Sequence, residues 1–395
     1  MRENGVRVGN TRFDRTCTPS RLFGVNVLGF FYSEKGVGES VRSAVRALQA
    51  ADVPYCCNNF DDPGSLNLEA KPCPTDNPYP VNLVHIHADG LPSVIHALGE
   101  QYFKGRYNIG YWAWELPDFP QEWASRFTYF DELWVPSRFV QEAIARVAPV
   151  PVTRIPHSIP LQREVDGVAE RKTLEPRERR CAFLFMFDFM SYWQRKNPFG
   201  VVEAFQRAFP TGDGVELIIK TTHASFSPKV FQQLQDASRG RPITVVDGVW
   251  SRQAVSELLS ACDCVVSLHR SEGFGLSLAE GMALGKPVIA TGYSGNVDFM
   301  TPENSLLVDY RLIELEEDVG PYMRGSRWAE PNLDHAAELM RWVVAHPAEA
   351  RRLGERAAQA IAVSFNPSAV GSLIHQRLLK IAEEGRYAEI RPRPA

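Results

Sequence analysis

Short apolar runs alternate with amphipathic segments along most of this sequence, and no other feature constrains the fold as strongly. Such runs are typical of strands buried on both faces, and the segments between them have helical periodicity. This alternation predicts a parallel sheet covered by helices. The first half contains predicted strands at Leu22–Val27, Val81–Ile86, Tyr107–Trp112 and Glu132–Val135, and predicted helices at Glu39–Ala51, Gln121–Tyr129 and Ser137–Val147.

A charged strip, Gln162–Arg180, interrupts the alternation, contains Pro176 and has little apolar periodicity. The pattern then restarts, with predicted strands at Cys181–Phe187, Glu216–Lys220, Ile243–Val246, Cys264–Leu268 and Pro287–Ala290. Predicted helices lie at Pro198–Phe209, Pro228–Ala237, Ser251–Ala261, Leu276–Leu284, Asp334–Ala345, Ala348–Ala362 and Pro367–Glu384. Two similar α/β domains facing across a cleft are therefore predicted, with ligands beyond the carboxyl ends of the strands.

The pattern also predicts where the domains begin and end. We expect a flexible tail at 1–20, an N-terminal domain at 21–165, a linker at 166–180, a C-terminal domain at 181–366, and a last helix in 367–395 that packs back on the N-terminal domain.

Composition narrows the class of protein. The 395 residues are 44% hydrophobic and carry a formal net charge of -4, which does not favour a nucleic-acid-binding protein. Seven cysteines without a C-x-x-C spacing indicate neither a disulfide framework nor a zinc site. No apolar run approaches the roughly 20 residues of a membrane helix, so we expect a cytoplasmic protein, with peripheral membrane contact left open.

The most informative segment lies between the strand that ends near Leu268 and the helix that starts near Leu276. A helix N-terminus has unpaired N–H groups and a partial positive charge, and Gly273 and Gly275 let a diphosphate approach the backbone closely. Glu272 precedes the helix, and Glu280 lies where a carboxylate reaches a ribose hydroxyl pair. The alternative is an ordinary helix with a glycine-rich start. The glycines lie between a buried strand and a helix, and a carboxylate stands at each end of the segment, which favours the binding site over the ordinary helix.

These residues resemble a known family. E-G-F-G-L-x-x-x-E, followed by G-K-P-V-I-A-T, is similar to the E-x7-E signature of family four retaining glycosyltransferases, which have the GT-B fold of two Rossmann-like domains. The likeness extends from about Phe23 to the C-terminal helix and is most specific in Phe183–Val308. The stretches Phe187–Pro198 and Ser267–Glu272 also resemble the bacterial polysaccharide and O-antigen mannosyltransferase branch.

The resemblance implies roles for individual residues. Glu272 is expected to contact donor sugar hydroxyls and Glu280 the ribose, and the residues between them complete the donor turn: Gly273, Phe274, Gly275 and Leu276. An arginine and a lysine are implied on the diphosphate, in the loop Asp188–Asn197. Lys196 matches the lysine. Ser191 stands in the arginine position, with Arg195 as the substitute. Such cations stabilise the charge that builds on a leaving diphosphate.

The N-terminal half contributes weaker motifs. In the family, a glycine loop like that of Gly36 and Gly38 lies against the donor phosphates and the acceptor; a simple tight turn is the alternative. His87 matches a family histidine near the anomeric centre, although His85 is equally near and a core position is the alternative.

Two further segments suit either ligand binding or an ordinary structural role. The stretch 110–120 is dense in aromatic residues and carboxylates, which suits a sugar acceptor through Trp112, Glu115 and Asp118 and suits core packing equally well. The resemblance implies that the turn of Ser294, Gly295 and Asn296 contributes backbone contacts to the donor sugar or its phosphates, and an ordinary turn explains it as well.

The prediction is a metal-independent retaining hexosyltransferase that needs no cofactor. It would move a hexose, with mannose favoured, from GDP-mannose or a UDP-sugar to a glycan or lipid-linked acceptor. The alternatives are a nucleotide-sugar hydrolase or epimerase of the same fold, and a non-catalytic nucleotide-sugar-binding module. An NAD dehydrogenase is disfavoured because the first βα turn, 36–41, lacks G-x-G-x-x-G.

Overall fold

The computed structural model describes residues 23–62, 64–66, 77–160, 181–211 and 214–384. The predicted tail at 1–20 and linker at 166–180 lie outside these residues. Within the described ranges the chain forms two six-stranded sheets, in which the strand pairs are parallel, and one antiparallel hairpin. The predicted fold class, two Rossmann-like parallel-sheet domains, is confirmed.

The N-terminal domain is built on the sheet order β2-β1-β3-β4-β5-β6. Its strands are β1 (Val25–Gly29), β2 (Tyr55–Asn59), β3 (Val81–His85), β4 (Tyr107–Tyr111), β5 (Glu132–Val135) and β6 (Val152–Arg154). Its helices are α1 (Gly36–Ala50), α2 (Leu91–Leu98) and α3 (Arg138–Ala145). All residues of β1, β3, β4 and β5 are buried, as expected of parallel strands covered on both faces.

The C-terminal domain has the sheet order β12-β11-β10-β7-β8-β9. Its strands are β7 (Cys181–Asp188), β8 (Val215–Thr222), β9 (Ile243–Asp247), β10 (Cys264–Ser267), β11 (Val288–Thr291) and β12 (Leu306–Val308). Its helices are α4 (Trp193–Lys196), α5 (Pro198–Ala208), α6 (Pro228–Ser238), α7 (Arg252–Ala261), α8 (Leu276–Ala283), α9 (Leu333–Ala345) and α10 (Pro347–Ser364).

A hairpin that the sequence pattern did not predict follows β12. Its strands are β13 (Tyr310–Glu314) and β14 (Arg327–Pro331), paired antiparallel. Most of β13 is exposed, so it lacks the apolar run by which strands such as β7 and β10 were predicted. Strands β2, β6 and β12 were also not predicted from the sequence. Between the two strands, Val319 and Tyr322 pack into the aromatic core of the N-terminal domain. The hairpin therefore connects the C-terminal domain to the other side of the cleft.

Other predictions differ in detail. The segment Gln121–Tyr129 is a 3₁₀ helix and not an α-helix. It buries only Phe127, so little packing stabilises a regular α-helix there. The first strand is Val25–Gly29 and ends two residues beyond the predicted Leu22–Val27 run.

The last helix, α11 (Pro367–Glu383), packs against α1 of the N-terminal domain. A Cβ at Gly371 would lie 2.3 Å from the carbonyl oxygen of Ala47, so this contact requires glycine. By length and composition alone, the run Pro347–Glu383 would suit a membrane span, but here it consists of α10 and α11. Where the chain passes between domains, the Ile159 N–H donates to the Phe365 carbonyl at 2.7 Å.

A buried ion pair anchors α11. The Glu132 side chain on β5 is fully buried, and Arg377 donates to both of its carboxylate oxygens, at 2.6 Å from Nη2 to Oε2 and 2.9 Å from Nε to Oε1. Tyr107, Trp134 and Thr153 also donate to this carboxylate. A buried carboxylate that loses its cation remains uncompensated.

We therefore expect Arg377→Met to lower the free energy of unfolding by about 3–5 kcal/mol, measured by urea unfolding followed by circular dichroism. Arg352→Met is the control, because Arg352 pairs with Glu349 on the exposed surface of α10 and should contribute less than about 1 kcal/mol. Equal effects of the two substitutions would contradict the assignment of α11 as an anchored part of the N-terminal domain.

Candidate functional site

The turn between β10 and α8 lies against the N-terminal domain. The Ser137 hydroxyl, at the start of α3, donates to the Gly273 carbonyl at 2.7 Å, and the Ser271 hydroxyl donates to the Glu115 carbonyl. A Cβ at Gly273 would lie 3.3 Å from the Trp114 carbonyl oxygen. The carboxyl ends of both sheets therefore meet at this turn, which is where parallel α/β sheets bind ligands.

Backbone contacts hold the turn in shape. Gly275, the N-cap of α8, has φ +96°, a left-handed conformation that favours glycine. The Glu272 N–H donates to the Ser294 hydroxyl at 2.8 Å, and the Gly295 N–H donates to the Glu272 carbonyl at 2.9 Å. A Cβ at Gly295 would lie 2.2 Å from the Gly273 carbonyl oxygen. Ser294 and Gly295 thus hold the turn 272–275 in place through hydrogen bonds and close packing.

Asn296 and Phe274 have their side chains away from the cleft. Asn296 is fully buried, and its amide contacts His269 Nε2 at 3.1 Å and the Thr291 carbonyl at 3.0 Å. The Phe274 ring packs among His157, Phe299 and Phe365 in the core. Both side chains are used by the core, so the backbone groups of these two residues are what remains for the predicted contact with the donor. Leu276 is half-buried at the start of α8.

Glu272 is the centre of the site's electrostatics. Lys196 Nζ lies 2.5 Å from its Oε1, and Arg195 Nη1 lies 3.2 Å from its Oε2. Burial alone would raise the pKa of Glu272, but Lys196 and Arg195 lower it to about 2. Burial lowers the pKa of Lys196, and Glu272 offsets this only in part. The carboxylate is therefore ionised at neutral pH, beside the first turn of α8.

The two cations differ in access. Arg195 is 4% exposed, and its guanidinium donates to the carbonyls of Ser271 and Ser191 as well as to Glu272. It also lies 3.9 Å from Glu115. The Lys196 side chain is 17% exposed, and its ion-pair partner among the described residues is Glu272. Arg195 braces the turn from inside the protein, whereas Lys196 lies closer to solvent in the cleft.

Glu280, in the second turn of α8, pairs with an arginine from the neighbouring helix. Arg252, the first residue of α7, donates to Glu280, and its guanidinium also lies 3.6 Å from Glu39 of α1. Burial raises the pKa of Glu280, and Arg252 offsets part of this effect. Neither Arg252 nor Glu39 was predicted as a site residue. Arg252 carries no motif, while Glu39 directly follows the Gly36–Gly38 turn.

The two glycines of the first turn have different surroundings. A Cβ at Gly38 would lie 2.1 Å from the Ser33 carbonyl oxygen, so Gly38 is required by its own neighbours. A Cβ at Gly36 would have no described atom within 4 Å. The space beside Gly36 is open, and Gly36 begins α1 directly above the cleft.

The histidines separate into one core residue and one at the strand end. His85 is 2% exposed, contacts the Ser40 hydroxyl through Nδ1 at 3.2 Å and stacks on Tyr111. Burial lowers its pKa well below the ordinary value. His87 is half-buried, two residues beyond His85. Of the two, His87 has the position that suits contact with a ligand.

Among the residues predicted to bind an acceptor, Glu115 contacts the hairpin of the C-terminal domain. Its carboxylate accepts from the Tyr322 hydroxyl at 3.1 Å. Trp112 is fully buried among Phe119, Phe127 and Phe130, so the prediction for Trp112 is wrong: its aromatic surface is used by the core. Asp118 is exposed and lies 3.5 Å from Arg146.

Two further residues, His223 and Arg270, form polar contacts at the cleft. His223, after β8, lies 2.8 Å from Asp188 and 3.0 Å from Glu34 of the N-terminal domain. Arg270 pairs with Glu330 of the hairpin at 2.6 Å. Within the described ranges, no three His, Cys, Asp or Glu residues form a group that could hold a metal ion.

Comparison with known proteins shows what the chain around this site is similar to. Residues 191–360, which include Lys196, Glu272 and Glu280, match the family model for glycosyl transferases group 1. The matched segment runs from the loop after β7 into α10 and covers less than half of the chain. A curated trehalose synthase from Pyrococcus horikoshii is 23% identical over 211 residues, covering 52% of this chain and 44% of that protein. The aligned region therefore spans less than half the length of that relative.

Solved structures share the fold. Sucrose-phosphate synthase from Thermosynechococcus elongatus superposes with a TM-score of 0.68 at 17% identity, covering 92% of this chain and 100% of that one. Anabaena HepE, in complex with UDP and glucose, gives 0.63 at 14% identity, covering 91% and 100%. The predicted GT-B fold is therefore confirmed, while the placement in family four and in its mannosyltransferase branch stays a prediction.

The surroundings of Gly36 and Gly38 predict that alanine at these two positions changes the stability of the protein by different amounts. Gly38→Ala should destabilise the protein by roughly 1–3 kcal/mol because the methyl group overlaps a backbone carbonyl, whereas Gly36→Ala should change stability by less than about 0.5 kcal/mol. If Gly36 faces bound phosphates, Gly36→Ala will nevertheless weaken nucleoside diphosphate binding. Thermal unfolding and calorimetric titration measure both effects. Unchanged nucleotide affinity would exclude Gly36 from the site.

The low pKa of Glu272 predicts a pH-dependent contribution to stability. Because the folded pKa is depressed, the contribution is complete above about pH 4.5 and is lost as the pH falls toward 2. Glu272→Gln should therefore cost about 3 kcal/mol at pH 7, where it leaves two buried cations unpaired, and progressively less below pH 4.5.

Thermal unfolding of both proteins at pH 7, 5, 4 and 3 measures this difference. Glu203→Gln, at an exposed pair on α5, is the control and should show little effect at any of these pH values. A gap between wild type and Glu272→Gln that stays constant from pH 7 to 3 would contradict the ion-pair assignment.

Proposed function

We propose that this protein is a retaining hexosyltransferase that moves a hexose from a nucleotide-sugar donor to a hydroxyl of a glycan or lipid-linked acceptor. The observation that carries the proposal is the turn at the start of α8. There a helix N-terminus, an accessible lysine and an ionised glutamate face the cleft, and a second glutamate follows in the second turn of the helix. In this proposal Glu272 faces the sugar of the donor, Lys196 and the helix N-terminus face its diphosphate, and Glu280 faces its ribose.

The proposed chemistry assigns a role to each group. Glu272 accepts hydrogen bonds from the donor sugar hydroxyls, and Lys196 with the N–H groups of α8 stabilises the charge on the departing diphosphate. Because both oxygens of Glu272 already pair with cations, this carboxylate suits sugar binding better than nucleophilic attack. The acceptor hydroxyl attacks from the face of the leaving group, and the donor phosphate takes its proton.

Different observations support the proposed donor and the proposed acceptor site. Likeness to the mannosyltransferase branch favours mannose from GDP-mannose. UDP-glucose is the second candidate, because HepE, a structural neighbour, was solved with UDP and glucose. Glu115, held by Tyr322 at the cleft, supports an acceptor site on the N-terminal side. We also propose that catalysis needs no metal ion and takes place in the cytoplasm. The protein would act there on acceptors held in the membrane as well.

A thermal-shift panel of GDP, UDP, ADP and their sugar conjugates tests the donor. A ligand at 100 times its Kd should add roughly 2.7 kcal/mol of stability, which is readily seen as a rise in Tm. Selective response to GDP compounds supports mannose transfer, and selective response to UDP compounds supports the second candidate. No response to any nucleotide would refute the proposed function.

Transfer itself is tested with the preferred donor and a panel of glycan acceptors. Glu272→Gln should lower kcat at least 100-fold, while Glu203→Gln retains wild-type activity. Rapid donor hydrolysis without an acceptor would instead indicate a hydrolase, and tight donor binding without turnover on any glycan would indicate a binding module. EDTA should leave the transfer rate unchanged.

A further inference from the structure

The loop Asp188–Asn197 offers fewer cations to a diphosphate than its sequence suggests. Arg195 is buried, and its guanidinium donates to the Ser271 and Ser191 carbonyls and to Glu272. The position where a family arginine is expected holds Ser191. Lys196 is then the cation of this loop with access to the cleft. A leaving diphosphate carries more than one negative charge, so a second cation from another element would strengthen the site.

Arg252 has the position and the freedom for this role. It is the first residue of α7, and its side chain is 48% exposed. Its guanidinium donates to Glu280 and lies 3.6 Å from Glu39. Within the part of the chain that the structure describes, these two carboxylates are its partners, and no hydrogen bond ties the guanidinium to a backbone carbonyl. Arg195, in contrast, donates to two such carbonyls.

The two partners locate Arg252 relative to a bound nucleotide. Glu280 is the proposed ribose ligand, and Glu39 lies in the first turn of α1, directly after Gly36 and Gly38. The guanidinium therefore lies between the ribose end of the site and the glycine turn that faces it. With the ribose at Glu280, a nucleoside diphosphate would have its first phosphate in this interval.

Resting on the proposed function, we propose that Arg252 is the second phosphate-binding cation and contacts the phosphate nearest the ribose. When the ribose hydroxyls donate to Glu280, they replace Arg252 as the partner of that carboxylate. The guanidinium then turns to the phosphate, whose oxygens match its paired N–H donors. No covalent step involves Arg252. Its effect is to bind the donor and to stabilise the leaving group.

A purely structural role for Arg252 makes a different prediction. As an ion pair between the two domains, Arg252 would affect stability and domain closure, and its loss would weaken every ligand of the cleft by the same factor. A phosphate contact instead weakens only phosphorylated ligands. The number of phosphates on the ligand therefore separates the two roles.

The experiment measures the Kd of three ligands that share whichever base the wild-type protein prefers: the nucleoside, its 5′-monophosphate and its 5′-diphosphate. Calorimetry serves for the phosphorylated ligands, and competition observed by NMR serves for the nucleoside. Arg252→Gln should weaken the mono- and diphosphate roughly 10- to 100-fold and the nucleoside by less than about threefold. Arg252→Lys, which keeps the charge, should recover part of the loss.

Two further variants complete the design. Arg207→Gln is the matched control, because Arg207 is 40% exposed and also pairs with two carboxylates, Glu203 and Asp334, but on the outer face of the domain. It should leave all three Kd values unchanged. Glu280→Gln should weaken the nucleoside as well as the phosphorylated ligands, because it removes a ribose contact.

The outcomes are distinct. If Arg252→Gln weakens all three ligands equally, or weakens none, the proposal is overturned while the proposed function stands. If wild-type protein binds no nucleotide, the proposed function fails and this inference fails with it. A loss confined to phosphorylated ligands, with partial recovery in Arg252→Lys, supports the assignment.

Discussion

A half-buried carboxylate governs the geometry of the cleft. An ionised group is stable in such a place only with close cations, and Glu272 has two, both from the loop after β7. The ion pairs join that loop to the turn before α8, so two strand ends that are adjacent in the sheet act as one rigid edge. The glycines of the turn and the N-terminus of α8 then have a fixed direction relative to the opposite domain.

The polar contacts continue beyond this edge. Arg195 lies near Glu115, and Glu115 accepts from Tyr322 in the hairpin between β13 and β14. Arg270, next to the donor turn, pairs with Glu330 of the same hairpin. The hairpin thus has contacts with both sides of the cleft. Because these groups are buried or half-buried, a change in one of them alters the partners of the others.

Local patterns in the sequence predicted the parts of the structure that local physics determines. Apolar runs identified the central strands, and the glycines around Phe274 located the turn before α8, since both depend on residues close in the chain. The roles of Trp112 and Phe274 depended on which side of a strand or turn a ring packs, and this is decided by residues 15 or more positions away, such as Phe127 and His157. The contact of Arg252 with Glu39 joins separate domains and leaves no local pattern.

The chain passes between the domains near Ile159 and again near Phe365, and a backbone hydrogen bond joins these two points. Both connections therefore lie at one place along the interface. Relative rotation of the domains has its pivot there, with small displacements for residues near the pivot and larger ones with increasing distance from it. A contact between the domains that is not next to these connections, such as His223 with Glu34, would separate more in such a rotation than a contact beside them.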